Sequence, residues 1–204
     1  DGRIVWACYD CGHEYCDVDD NPKLEAKIRV GRLTELAGPR AAVFADHVEL
    51  SDGGRDFASE IGPGGVPGTK FVWPEDSGLK AGLREDWGLS GEKQREWEKW
   101  FGIYNTHRPA EGEYLNLYDL AFDQPEAHAI RKDGRVYYAF YAGHAGERWE
   151  GQVQLRGLED QRYRLVDYAN DRHLGFAAGP EEFRLNVSFM GALLLVAIPV
   201  SKDL

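Results

Sequence analysis

The spacing of apolar residues changes partway along the chain, and this change constrains the fold more than any other feature. Before about residue 108, short apolar segments alternate with segments of helical periodicity, the pattern of parallel β/α architecture. From about Glu111 onward, apolar and polar residues alternate with a period of two, which is typical of antiparallel strands that bury one face. We therefore expect two domains, 1–108 and 109–204, that meet near His107–Pro109.

The first domain is expected to contain three buried strands and two helices. The strands are predicted at Ile4–Cys8, Ala41–Leu50 and Thr69–Trp73, the last entered through the glycine- and proline-rich loop Gly62–Gly68. A first helix is predicted at Pro22–Ala37.

The second helix is expected to begin after Ser90, a favourable N-cap residue. Its aromatic side chains recur at helical spacing, at Trp97, Trp100, Phe101 and Tyr104. Because such a stripe is the usual buried face of an amphipathic helix, we expect core packing here and not a ligand platform.

The second domain is expected to be an antiparallel β-sandwich. The clearest alternation lies at 149–156 and 182–189, and further strands are predicted at Val136–Tyr141, Tyr163–Tyr168 and Leu193–Val200.

Charge and hydropathy exclude two classes of partner. The chain of 204 residues carries 24 basic and 35 acidic side chains, a formal charge of −11, so a nucleic-acid partner is not expected. A membrane partner is not expected either, because the apolar run Ala192–Val200 is far shorter than the roughly 20 residues that cross a bilayer.

The start at Asp1 suggests a processed end with any signal peptide upstream, and a secreted or periplasmic location is favoured.

Polar and aromatic residues gather where each of the three predicted strands ends. The segments are Cys8–Glu14, Asp46–Asp52 and Trp73–Asp76. In a parallel β/α barrel the carboxyl ends of the strands meet at one mouth, where the active site lies. Carboxylates beside aromatic rings suit a neutral, polyhydroxylated substrate. The alternative is that these are solvated loop charges, which a threefold repetition disfavours.

Three cysteines and a histidine share the first of these segments: Cys8, Cys11, His13 and Cys16. A structural zinc site, a local disulfide and free thiols beside the candidate site all stay open. The crowding of four ligands in one loop disfavours zinc, so we expect neither a metal nor another cofactor.

Several stretches resemble bacterial α-galactosidase-like hydrolases of the melibiase type. The first is Asp46–Gly54, followed by Ile61–Gly62 and Gly65–Phe71, while Glu113–Asp119 and Tyr137–Tyr141 resemble the start of the C-terminal sandwich in these enzymes. The resemblance covers nearly the whole chain. It implies the C-terminal part of a (β/α)8 TIM barrel followed by an antiparallel β-sandwich.

The resemblance also implies a retaining two-carboxylate glycosidase that acts on α-linked galactosides or related α-glycosides. In this family an aspartate on the fourth strand is the nucleophile and an aspartate on the sixth is the acid/base. Ser51-Asp52-Gly53 matches the acid/base turn, which makes Asp52 the expected catalytic residue. The alternative is that Asp52 only forms the turn before glycine.

The same resemblance places sugar contacts near Cys8–Gly12, although the glycine run usual there is missing. The residues expected to bind substrate are Cys8, Asp10, Cys11, Gly12, Asp46, His47, Glu49 and Trp73. If the three strands are the fifth to seventh of a barrel, the nucleophile lies before Asp1. The expected partners are thus an oligosaccharide or glycoside substrate and the upstream half of the barrel. The alternative function is a non-catalytic carbohydrate-binding or assembly fragment.

Overall fold

The structure is a computed structural model that describes residues 3–7, 31–49, 57–70, 90–119, 123–143, 147–179 and 181–200. These residues form a parallel sheet, a helical layer and two antiparallel sheets. None of the helices in the described ranges is long and apolar enough to cross a membrane.

The parallel sheet contains β1 (Arg3–Ala7), β2 (Ala41–Glu49) and β3 (Val66–Lys70), in that order. Both pairs of neighbours run parallel, as the alternation of strands and helices predicted. The predicted start of the third strand at Thr69 is wrong, because Val66 and Pro67 already pair with Phe44 and Ala45 of β2. Pro67 has no N–H to donate, and it is tolerated because β3 is an edge strand of the described sheet.

Three helical segments accompany these strands. Residues 31–37 (α1) are helical, and residues 22–30 of the predicted first helix lie outside the described residues. The other helices are α2 (Phe57–Ile61) and α3 (Gly91–His107). Ser90 caps α3 as predicted, since its Oγ accepts a hydrogen bond from the N–H of Lys93 at 3.2 Å.

The carboxyl end of α3 leads directly into the antiparallel strands. Arg108 ends the helix in the left-handed conformation (φ 43°) and donates its N–H to the Tyr104 carbonyl oxygen. A 3-10 turn, Pro109–Glu111, then precedes the next strand.

A six-stranded antiparallel sheet dominates the rest of the chain. Its strands, in spatial order, are β4 (Glu113–Leu115), β5 (Glu126–Lys132), β6 (Arg135–Tyr141), β11 (Ala192–Pro199), β8 (Arg162–Asp167) and β9 (Arg172–Ala178). The strands β7 (Arg148–Leu158) and β10 (Glu181–Met190) pair antiparallel to form a second sheet. The prediction of antiparallel strands in this half is confirmed.

Both faces of the six-stranded sheet are covered. Successive side chains of a strand point to opposite faces, so each strand contributes to two separate cores. On one face, Tyr138 and Leu195 pack with Val153 and Leu155 of β7, so the two antiparallel sheets form a β-sandwich. On the other face, a second core forms against the helices; it includes Tyr137, Tyr141, Leu194, Phe57, Trp97 and Trp100.

The aromatic stripe of α3 lies in this second core, as expected. Trp97 and Trp100 are buried, and Phe101 and Tyr104 pack against them. The ring of Phe57 meets the Trp97 ring edge-on at 5.8 Å between centroids and the Phe101 ring at 5.7 Å. The stripe therefore attaches α2 and α3 to the large sheet.

Candidate active site

Three of the predicted substrate-binding residues lie at the carboxyl end of β2. Ala7 at the end of β1 pairs with Ala45, and β2 continues beyond this pair through Asp46 and His47 to Glu49. Because the three strands are parallel, their carboxyl ends lie at the same edge of the sheet. The backbone thus brings these positions to one edge together with the ends of β1 and β3.

A β-bulge interrupts β2 among these residues. Ala45 pairs with Pro67, whereas Val48 pairs with Thr69, so β2 contains one residue more than β3 between the two pairs. The extra residue falls within Asp46–His47. Bulges shift the alternation of strand positions by one residue and are common next to active sites. Simple alternation along β2 therefore does not assign these residues to a face of the sheet.

The remaining predicted site residues lie outside the described residues. They are the catalytic candidate Asp52 and the substrate-binding candidates Cys8, Asp10, Cys11, Gly12 and Trp73. Their roles, and the state of the cysteines, stay predictions.

Helix α2 follows the predicted catalytic turn and is held firmly by the β-sandwich. All five residues of α2 are buried. The hydroxyl of Tyr141 on β6 donates a hydrogen bond to the Ala58 carbonyl oxygen at 2.7 Å. A Cβ atom at Gly62 would collide with that hydroxyl and with Ala139, so only glycine lets the chain turn this close to β6. Residues 57–62 are thereby anchored to the large sheet.

A buried polar network lies beside this contact, between α1 and β5. His128 is fully buried; its Nε2 lies 2.9 Å from Glu126 Oε1, and its Nδ1 lies 2.9 Å from the Tyr114 hydroxyl. A neutral ring with its proton on Nε2 satisfies both contacts, because the carboxylate accepts and the hydroxyl donates. A Cβ atom at Gly31 would lie only 3.1 Å from both His128 and Tyr114.

Local sequence patterns do not reveal the partners of these supporting residues. Tyr141 stood within the run Tyr137–Tyr141, quoted for its family resemblance, but its role depends on Ala58, a distant residue in the chain. A usable signal was the pair Glu126 and His128, which alternate with Ala127 and Ala129, since buried polar residues require partners.

No family model matches the chain. Over 182 residues it is 35% identical to the A type blood α-D-galactosamine galactosaminidase of Flavonifractor plautii. The alignment covers 87% of this chain, which spans about 15% of the length of that relative.

Solved structures share the fold at much lower identity. The match to a GH27 β-L-arabinopyranosidase from Geobacillus stearothermophilus covers 89% of this chain and 43% of the arabinopyranosidase chain, with a TM-score of 0.51 and 10% identity. The match to the α-galactosidase I of Mortierella vinacea covers 86% of this chain and 44% of the galactosidase chain, with a TM-score of 0.50 and 6% identity. Taken with the sequence relative, these matches confirm that the chain resembles the α-galactosidase-like glycoside hydrolases.

Proposed function

We propose that the chain is part of a retaining glycoside hydrolase that acts on α-linked galactosides or related α-glycosides. The observation that carries this proposal is the 35% identity to a galactosaminidase over most of the chain. The parallel sheet β1-β2-β3 supports the assignment of residues 1–108 to the C-terminal part of a (β/α)8 barrel.

In this proposal Asp52 is the general acid/base. It protonates the glycosidic oxygen as the leaving group departs, and it then removes a proton from the water that hydrolyses the glycosyl-enzyme intermediate. The sugar is held by Asp46, His47 and Glu49 at the end of β2, and by the loops that follow β1 and β3. The bulge in β2 supports this arrangement, because such irregularities re-aim side chains at active sites.

The nucleophilic carboxylate comes from an upstream segment of the barrel. A retaining mechanism requires two carboxyl groups about 5 Å apart. In the described sheet β1 and β3 are edge strands, and an exposed strand edge is a pairing site for a further strand. An upstream parallel strand that pairs along β1 would both cover this edge and bring the nucleophile to the same edge of the sheet as the carboxyl end of β2.

The test is Asp52→Asn in an enzyme that carries the complete barrel. Loss of a general acid typically lowers the rate about 10²–10⁴-fold. We expect this loss in kcat for a natural α-galactoside, and a smaller loss of the glycosylation step for an aryl α-galactoside, whose leaving group needs little protonation. Added azide should rescue the second step of the variant. The matched control is Asp133→Asn, another aspartate before glycine at an exposed turn, which should leave the rate unchanged.

A wild-type rate of Asp52→Asn on the natural substrate would end the acid/base assignment, and Asp52 would then be only a turn residue. If the complete enzyme bound glycans but hydrolysed none of them, the non-catalytic alternative would hold instead.

A further inference from the structure

A polar pocket of about 170 Å³ lies in the β-sandwich, apart from the parallel sheet. Its buried lining includes Tyr118 and Phe140, while its exposed lining includes Gln124, Gln152 and Arg184. The pocket is smaller than the roughly 300–1,000 Å³ of sites for drug-sized ligands, so it suits a single small unit.

One wall of the pocket is a fixed ion pair. The guanidinium of Arg156 contacts both carboxylate oxygens of Asp123, at 2.8 and 3.1 Å. The same group donates to the Leu117 carbonyl oxygen at 2.8 Å and to Gln154 Oε1 at 3.0 Å. It also lies 4.9 Å from the centre of the Tyr118 ring. These contacts hold the wall in place before any ligand arrives.

Tyr118 is fixed in the same way. Its hydroxyl donates to the Gln154 carbonyl oxygen at 2.6 Å and accepts the N–H of Arg156 at 3.1 Å, so it closes this edge of β7. The pocket therefore has a rigid inner surface.

The carboxylate of the wall is ionised and paired. Burial disfavours ionisation of Asp123, but hydrogen bonds from Arg156 and from the N–H of Asp119, with the positive charge of Arg156, hold its pKa below the ordinary value. The charged carboxylate is thus paired with Arg156, whose positive charge offsets its own.

Arg184 supplies the remaining charge. It is exposed on β10, opposite Gln154 of β7, and no carboxylate in the described part of the chain forms an ion pair with it. With Arg156, Arg184 and Asp123 as its charged members, the lining of the pocket carries one net positive charge, on a protein whose formal charge is −11. Gln124 and Gln152 add side-chain amides, each of which both donates and accepts, as a sugar hydroxyl does.

We propose that this pocket binds an acidic sugar unit, with Arg184 pairing with its carboxylate and the amides of Gln124 and Gln152 contacting its hydroxyls. A guanidinium presents a planar set of donors that matches a carboxylate. The site is separate from the proposed hydrolase site, because none of these residues belongs to the parallel sheet or its loops.

The experiment titrates the 204-residue chain with D-galacturonate, D-galactose and acetate, followed by calorimetry and by backbone NMR shifts. We expect saturable, salt-sensitive binding of galacturonate with shift changes at Gln152 and Gln154, and at least tenfold weaker binding of galactose and acetate. Arg184→Gln should weaken galacturonate binding at least tenfold, and Arg184→Lys should weaken it less. The matched control is Arg164→Gln, which removes an exposed arginine from β8 and should leave the affinity for galacturonate unchanged.

Three results would overturn the proposal. They are absence of saturable galacturonate binding at millimolar concentration, equal affinity for galactose, and an unchanged affinity in Arg184→Gln. Each is distinct from a failure of the hydrolase proposal, because the titration requires no turnover.

Discussion

The hydroxyl of Tyr141 and the carbonyl oxygen of Ala58 lie 2.7 Å apart, in a hydrogen bond that joins the large antiparallel sheet to α2. Tyr141 is fully buried, and burial raises the pKa of its phenol well above the ordinary value, so the hydroxyl keeps its proton and remains a donor. The Ala58 oxygen also accepts the N–H of Gly62 at 3.0 Å. The turn after α2 is thus tied both to its own helix and to β6.

The first prediction concerns this bond. Tyr141→Phe removes the hydroxyl and keeps the ring, so we expect the free energy of unfolding to fall by about 1 kcal/mol. Because the bond holds α2, amide hydrogen exchange at Phe57–Gly62 should accelerate more than exchange in β11. Chemical denaturation and exchange mass spectrometry measure the two effects.

Tyr138→Phe is the matched control for this prediction. The Tyr138 hydroxyl donates to the Arg156 carbonyl oxygen at 2.7 Å, on the opposite face of the same strand. We expect a similar loss of stability, without faster exchange in α2. Equal exchange of α2 in the two variants would show that Tyr141 does not anchor it.

The second prediction concerns Gly62. An added methyl group would overlap the Tyr141 hydroxyl and the Ala139 side chain, and overpacking of a core costs about 1–3 kcal/mol. We therefore expect Gly62→Ala to lower the free energy of unfolding by that amount in chemical denaturation. Gly102→Ala is the control, since a Cβ there meets nothing within 4 Å in the middle of α3. It should stabilise the chain by about 0.5–1 kcal/mol through helix propensity. If both substitutions changed the free energy of unfolding in the same direction, the packing argument for Gly62 would be contradicted.

The third prediction concerns the pH dependence of stability at His107. Its ring packs against those of Tyr168 and Tyr137, at 4.7 and 5.8 Å between centroids. Burial, together with the positive charges of Arg135 and Lys132, lowers the pKa of His107 below 6.5. The unfolded chain therefore binds this proton more readily than the folded chain does.

Stability should accordingly fall as the pH drops below about 6.5 and through the lowered pKa of His107. His107→Phe keeps an aromatic ring but removes the titration. The free energy of unfolding of the variant, relative to that of the wild type, should therefore increase as the pH falls through this range. Urea unfolding between pH 7.5 and 5 measures the difference, as these two limits bracket the ordinary histidine pKa of about 6.5. If the free energy of unfolding changed with pH by the same amount in both proteins, His107 would not be the source of the pH dependence.

The fourth prediction concerns the activity of the chain by itself. If the nucleophile lies in an upstream segment, the purified 204-residue chain should hydrolyse an aryl α-galactoside little or not at all. Adding the missing segment should raise the rate. Robust turnover by the chain alone would place the nucleophile within these residues, and Asp10 and Asp46 would be the first to test by substitution.

The sequence predicted those elements whose patterns are local. Alternation of apolar residues predicted β7 and β10, and helical spacing with a serine cap predicted α3. The segments Val136–Tyr141, Tyr163–Tyr168 and Leu193–Val200, the last a continuous apolar run, predicted β6, β8 and β11. Each of these signals lies within one segment, because burial selects apolar residues at the buried positions of that segment. The family resemblance likewise depended on short local runs.

Strands β4, β5 and β9 carry no such local pattern, and for the last two the reason is identifiable. In β5, Glu126 and His128 are buried where the pattern demands apolar residues. They are tolerated because their polar atoms have partners, among them Tyr114 of β4 and each other. In β9, most residues are exposed or half-buried at the edge of the sheet, so no apolar period marks the strand.

By itself, the sequence determined the two kinds of architecture and predicted polar residues at the carboxyl end of β2, since both depend on residue type and spacing. Tertiary structure decided the bulge at Asp46–His47, the anchoring of α2 by Tyr141 and the pocket at Arg184. Each of these requires contact between segments far apart in the chain. A periodic pattern records which face of a segment is buried, but it carries no information about which distant backbone or side chain that face will meet.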